Sequence, residues 1–363
     1  MSKYTALSFT ALLLAASTGC GSITDQPAGT TSGGVGGAGG TSSGSMTTGG
    51  STGSSMPSSG TGSTLGDSFS VQFGPVTITP GQENTQCVIV KLDNPAMLHV
   101  GRIHNELSGG SHHLIVYRTN DTVEQLTPYD CQPFGDLPKP EKGSPLMVTQ
   151  KHDDVLTLPK GVAFSFKPQQ FLRLEMHYIN TGNADIQVQA KSTFTAIVES
   201  EFTDEADFLF LGDPDIDVPA HGKQTLGPVY LALQAEQVGA KVFGITGHTH
   251  QWGTNVQVSL ADGKDGPDKV LYDVPGWQWS EPETVKLDPP VTIPAGGGFR
   301  FTCNYDNKGN VDAKFGESAN DEMCFFWAYY YPSKGAFVCA HTDQFGSIDI
   351  CCPGNELCSK LLP

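Results

Sequence analysis

The chain has 363 residues, with 21 Lys or Arg against 38 Asp or Glu and a net charge of −17. That length suits about two domains, and the acidic balance excludes a nucleic-acid partner, which needs a basic footprint. After the first 20 residues no stretch holds the roughly 18 consecutive apolar residues of a membrane helix.

The start reads as an export signal. Lys3 supplies positive charge, Ala6 to Ala16 is an apolar run too short to span a bilayer, and small residues follow. Ser17-Thr18-Gly19-Cys20 resembles a bacterial lipobox, with Ser17 where such boxes usually carry leucine. Cys20 is therefore the expected lipidation site and the only expected tie to a membrane. An ordinary secretory signal is the alternative. Either way the mature protein is expected outside the reducing cytoplasm, as a cell-envelope lipoprotein (outer membrane or periplasm) or a secreted protein. Residues 21–67 are dominated by Gly, Ser and Thr. Such a tract buries too little apolar surface to order itself, and a flexible tether spanning roughly 35 to 40 Å is expected.

From Ser68 onward the patterning is β. Apolar or alternating runs occur at Phe69 to Phe73, Cys87 to Leu92, His113 to Tyr117, Val162 to Phe166, Leu172 to Tyr178 and Ile186 to Thr195. A second series covers Phe208 to Leu211, Lys241 to Thr246, Asn255 to Leu260, Lys269 to Val274, Phe299 to Tyr305 and Phe325 to Tyr331. Gly, Pro, Asn and Asp punctuate them at the intervals of sandwiches. Only Leu231 to Val242 reads as helical. The expectation is an all-β chain of two tandem antiparallel jelly-roll or sandwich domains, at 68–200 and 201–338. The charged stretch Glu199 to Asp207 separates them.

Nine cysteines suit an oxidising compartment. Cys339, Cys351, Cys352 and Cys358 are expected to staple residues 339–363 into a small tail. No CxxC pair is present, which argues against a zinc knuckle.

Gly247-His248-Thr249-His250 carries two imidazoles that an extended strand would project from one face. Met323, beside Cys324, offers a thioether. Two imidazoles plus soft sulfur lean toward Cu(I). His112 and His113 are neighbours, so both reach one ion only at a strand end or kink, and Gly109-Gly110-Ser111 upstream permits one. In Leu172 to Tyr178, alternation puts His177 with Glu175 and Arg173, opposite Leu172, Leu174 and Met176. Three imidazoles leave copper, zinc, nickel and iron all open. His99, His104, His152, His221 and His341 read as hydrogen-bonded structural residues.

Taken together, His112-His113, Glu175-Met176-His177-Tyr178, His248-Thr249-His250, Asp321-Glu322-Met323-Cys324 and Tyr330-Tyr331-Pro332 resemble the copper type II, ascorbate-dependent monooxygenases. That family contains dopamine beta-monooxygenase and peptidylglycine alpha-hydroxylating monooxygenase. The motifs agree in order and approximate spacing from about Phe69 to Pro332. The resemblance implies two jelly-roll domains facing across a solvent-filled cleft, with two coppers per chain. His112, His113 and His177 would bind the electron-transferring copper. His248, His250 and Met323 would bind the copper that activates dioxygen, and form the catalytic group. It also implies the disulfides Cys87–Cys131 and Cys303–Cys324.

Two departures bear on substrate. The peptide enzyme carries an arginine two residues before its His-x-His, to hold a substrate carboxylate, where this chain has Thr246. Its polar residues after the methionine are replaced by Phe325, Trp327 and Tyr329, the candidate substrate residues here. The expected activity is therefore hydroxylation of a C–H bond in a small, apolar or aromatic molecule, using O2 and a one-electron donor such as ascorbate. Glu175 is a candidate to tune the cleft. The competing expectation is an envelope lipoprotein that sequesters or senses copper without turnover. A weaker one is an adhesion or carbohydrate module with structural histidines.

Overall fold

The computed structural model describes residues 63–132, 134, 142–316, 318–344 and 346–353. The export signal, Cys20, nearly all of the tether and Cys358 lie outside the described residues. Those described belong to one compact unit. They form β-strands and short 3-10 turns, with no α-helix among them.

In the first half, one sheet takes β1 (Leu65–Ile78), β10 (Ile186–Ile197), β3 (Leu98–Leu107), β8 (Val162–Phe166) and β11 (Asp204–Glu205) in that order. Strand β7 (Asp153–Thr157) also pairs with β3. The second sheet runs β5 (Gln125–Asp130), β2 (Glu83–Lys91), β9 (Phe171–Ile179), β4 (Ser111–Thr119) and β6 (Gly143–Thr149). Apolar residues of β9, Leu172, Leu174 and Met176, turn into the core with Leu114 and Val116 of β4. The opposite face of β9 presents Arg173, Glu175 and His177, all buried.

From Asp207 onward the strands join different sheets. One runs β18 (Val285–Thr292), β15 (Lys241–His248), β21 (Phe325–Tyr331), β12 (Asp207–Gly212), β22 (Phe337–Thr342) and β23 (Ile348–Cys352). Its partner runs β14 (Lys223–Ala232), β19 (Gly298–Asp306), β16 (Gly253–Ala261) and β17 (Asp268–Asp273), with the small pair β13 (Asp217–Val218) and β20 (Ala313–Lys314) nearby. Pairings are antiparallel except β8 with β11 and β12 with β22.

Strand β21 explains how the halves meet. Phe326, Ala328 and Tyr330 pack into the core between the two C-terminal sheets. Phe325, Trp327 and Tyr329 pack with Phe208, Phe210 and Phe243 into a core shared with the first half. A strand buried on both faces needs an unbroken apolar run rather than alternation, and Phe325-Phe326-Trp327-Ala328-Tyr329-Tyr330-Tyr331 is one.

Two expectations fail. Leu231 to Val242 is not helical: it holds the end of β14, a single 3-10 turn at Ala235–Gln237 and the start of β15. Gln234 and Gln237 cap that turn reciprocally, and Gly239, at φ 83°, turns the chain out of it. Nor is the segment after 338 a separate tail. Strands β22 and β23 extend the C-terminal sheet, and Cys339–Cys351 joins residues directly opposite in their register. The disulfides Cys87–Cys131 and Cys303–Cys324 are both present. Such bonds belong to an oxidising compartment.

Candidate metal centre

His112 and His113 come from the start of β4, beside His177 on β9. Across the ladder Ser111 pairs with Tyr178 and His113 with His177, so two steps on β4 answer one on β9. His112 is the extra residue of a bulge, which re-aims a side chain and so lets neighbouring imidazoles serve one centre. Gly110 upstream sits at φ 84°, where a side chain would strain the turn. The three rings lie 5.0 to 5.4 Å apart. One ring nitrogen from each falls within 4.8 Å of the others.

His248 ends β15 and His250 follows one residue beyond, their rings 5.1 Å apart. The turn after them requires Gly253, because a Cβ there would strike the Thr249 side chain. The segment 321–323 clasps His250. Its Nδ1–H donates to the Asp321 carbonyl at 3.2 Å, and its backbone N–H donates to Glu322 Oε2 at 3.0 Å. The other oxygen of Glu322 accepts the Trp252 N–H at 2.6 Å. Burial pushes the Glu322 carboxyl up to about 7, against the backbone N–H groups that favour its charge. Met323, next in the chain, is buried in the shared core, and its carbonyl accepts the Tyr305 hydroxyl at 2.8 Å.

The two sets are adjacent. The resemblance implied a solvent-filled cleft between them, but the His112 ring lies only 5.8 Å from His250. Phe134 sits between the sets, 5.2 Å from His113 and 6.3 Å from His248, and packs on Phe210 of the second half. Glu175 holds it there, accepting the Phe134 N–H at 2.9 Å and the Tyr117 hydroxyl at 3.0 Å. Glu175 is thus a buried anchor for this segment. On the outer side, Trp279 lies 5.7 Å from His112.

No histidine of the five is more than 6% exposed. Burial drives four of the rings toward the neutral form: His112 to about 3 and His250 to about 4, with His113 and His248 also well below the ordinary value. Neutral imidazoles keep a lone pair for a metal. Several of those nitrogens are buried without a hydrogen-bond partner: His112 Nε2, both nitrogens of His113, His177 Nδ1 and His248 Nε2. Unsatisfied buried polar atoms are costly and rare, and so many on facing rings fit an ion. His248 and His250 leave two further imidazoles beside this group; joined by a thioether, as expected of Met323 from the sequence, such a pair would suit copper in its reduced state.

The comparison that decides the family concerns the second half: residues 213–347 match the copper type II ascorbate-dependent monooxygenase, C-terminal domain. That segment is a domain of this family. Among solved structures, the chain resembles the major capsid protein P2 from Bacteriophage PM2 at 9% identity, covering 73% of this chain and 97% of that one, TM-score 0.33. It also resembles PNGase F, a glycosylasparaginase from Flavobacterium meningosepticum, at 10% identity, covering 73% and 97%, TM-score 0.31. The matched segment contains His248, His250, Met323 and the substrate candidates Phe325, Trp327 and Tyr329. Those three are buried in the shared core; Phe325 lies directly opposite His248 in the β15–β21 ladder, and the Trp327 ring is 6.0 Å from it. Thr246 points no charge at the site, its hydroxyl bonding that of Thr284 at 2.7 Å.

The remaining histidines have ordinary partners. His99 meets Ser165, His104 meets Asp153, His152 the Leu107 carbonyl, His221 Asn310, and His341 Asp349. Sequence reasoning missed Glu83, Gln150, Phe134 and Trp279. Only Glu83 had a usable signal: Thr85 pairs with His177, so Glu83 is a diagonal neighbour on the same face.

Proposed function

We propose that the protein is an exported copper-dependent monooxygenase. It hydroxylates a C–H bond of a small, apolar or aromatic molecule, using dioxygen and a one-electron donor such as ascorbate. The observation that carries this reading is the buried group of five imidazoles, four of them with unpartnered ring nitrogens, in a chain whose residues 213–347 match that family. His112, His113 and His177 would hold one copper, and His248, His250 and Met323 a second. Bound copper would supply one-electron redox chemistry toward dioxygen. Hydroxylation puts one oxygen atom into the alcohol and the other into water, consuming two external electrons and two protons. Two ligand sets, each serving a one-electron metal, meet that count.

The protein's own groups bind, orient and exclude water. Burial keeps the His250 ring neutral, Asp321 and Glu322 fix it, and Trp279 covers His112. With Thr246 in place of a cationic residue, nothing at that position would bind a substrate carboxylate. Trp327, beside His248, is the aromatic wall a substrate would meet. Phenethyl compounds should therefore turn over faster than glycine-extended peptides; equal rates would remove the apolar-substrate assignment.

Metal analysis of the purified chain beside Met323→Ala tests the ligand assignment. About two coppers are expected in the first and roughly one in the second. Copper uptake with neither ascorbate-dependent oxygen consumption nor hydroxylated product would instead leave the second reading, a copper-sequestering envelope protein, which the deep burial of the rings also favours.

A further inference from the structure

The hydrogen bonds that orient two of these rings involve both halves of the molecule, and the residues making them carry no motif. Gln150, one residue beyond β6 in the first half, accepts the His248 Nδ1–H of the second half on its Oε1, at 3.0 Å. Both side chains are buried. Glu83, opening β2, accepts the His177 Nε2–H at 2.9 Å. The same carboxylate takes the Ala319 N–H at 3.1 Å and the Ser318 hydroxyl at 3.3 Å, both from the second half. An imidazole held as N–H at one nitrogen offers its lone pair at the other. The nitrogens left over, His248 Nε2 and His177 Nδ1, are those buried without a partner.

We infer that Gln150 and Glu83 are positioning residues that choose which ring nitrogen His248 and His177 present to a metal, so that ligand geometry in one half depends on docking of the other. The inference rests on the copper reading in taking these two histidines as ligands. Its chemical content is specific. If the Gln150 amide were reversed, its NH2 would donate to Nδ1, move the ring proton to Nε2, and close the lone pair needed there. An ionised Glu83 has no such ambiguity, since a carboxylate only accepts.

The test uses the full metal-free chain labelled with 15N-histidine, reading tautomers from ring nitrogen shifts and two-bond couplings. His248 should carry its proton on Nδ1 and His177 on Nε2. Gln150→Leu should release His248 into a mixture while His177 stays fixed, and Gln150→Glu should restore the Nδ1–H form. Glu83→Leu and Glu83→Gln should do the same for His177. Loaded with copper, the two Leu variants should show altered nitrogen hyperfine structure in the Cu(II) spectrum, regained in the rescuing variants. A wild-type His248 protonated on Nε2, or tautomers unmoved by either Leu substitution, overturns the inference; the wild-type spectrum decides even if a Leu variant fails to fold. Expected tautomers in a chain that takes up no copper would sink the copper reading and leave the hydrogen-bond assignment standing. Copper uptake with tautomers indifferent to Gln150 and Glu83 would do the reverse.

Discussion

Asp213 is a carboxyl placed where water scarcely reaches, 2% exposed at the end of β12. Its N–H donates to the Cys324 carbonyl at 2.9 Å and its Oδ1 accepts the Asp215 N–H at 2.7 Å. Burial pushes it from 3.8 up to about 6, and the neighbouring carboxylates Asp215 and Asp343 add to the push. The native state therefore holds a proton that the unfolded chain has already released, and stability falls as pH rises through that window. It is fully present below 3.8 and lost once pH passes about 6. Asp213→Asn keeps the acceptor oxygen without the charge. It should match the wild type in urea unfolding at pH 3.5 and exceed it at pH 8, by on the order of 3 kcal/mol. Equal midpoints at both pH values would refute the assignment. At this scale the sequence is half legible. Histidine and methionine declare their ligand chemistry wherever they stand. Glu83 and Gln150 are common polar residues whose meaning appears only once register sets one diagonal to His177 and docking sets the other against His248.

Among elements, four that patterning missed share a cause. Gln125–Asp130, Gly143–Thr149, Lys223–Ala232 and Val285–Thr292 each contain proline, which breaks the look of a strand. All four lie at sheet edges, the position where a missing N–H costs no ladder bond. Leu98–Leu107 was hidden differently: its His99 and Asn105 are polar yet buried, the first bonded to Ser165 and the second donating its amide N–H to Thr149. The two-faced strand β21 was legible as a strand, but apolar runs do not say which neighbour each face meets. The disulfide Cys303–Cys324 ties β19 to the residue beside Met323, its ends 21 positions apart in sequence. Closing a loop of that size is worth about 3 kcal/mol. Cys303→Ser with Cys324→Ser should lower the urea-derived stability by about that amount. Copper titration of the same variant should show the Met323 set weakened and the three-histidine set retained. Equal weakening of both would mean the bond supports the fold generally rather than this segment.

For the whole molecule, the consequential feature is that the halves share a core. Phe208, Phe210, Phe243, Trp327 and Tyr329 from the second half pack in one apolar cluster with residues of β4, β6 and β9 from the first. Around it, Gln150 bonds His248, and Glu83 bonds Ser318 and Ala319. Patterning separated two series of strands but said nothing of this seam, because residues buried between halves look no different from those buried within one. Small apolar contacts, each worth a fraction of a kcal/mol, add up over such a seam. A fully buried tryptophan replaced by alanine costs roughly 3 to 5 kcal/mol. If the halves were independent, heating would melt them separately, and Trp327→Ala would shift one transition only. If the seam is integral, the metal-free chain unfolds in a single transition whose calorimetric and van't Hoff enthalpies agree, and Trp327→Ala lowers that whole transition. Copper bound by both sets stabilises the native state alone and should raise the same transition, by about 4 kcal/mol per site at a thousandfold excess over the dissociation constant. Two resolved transitions, only one of them copper-sensitive, would show that the halves merely touch.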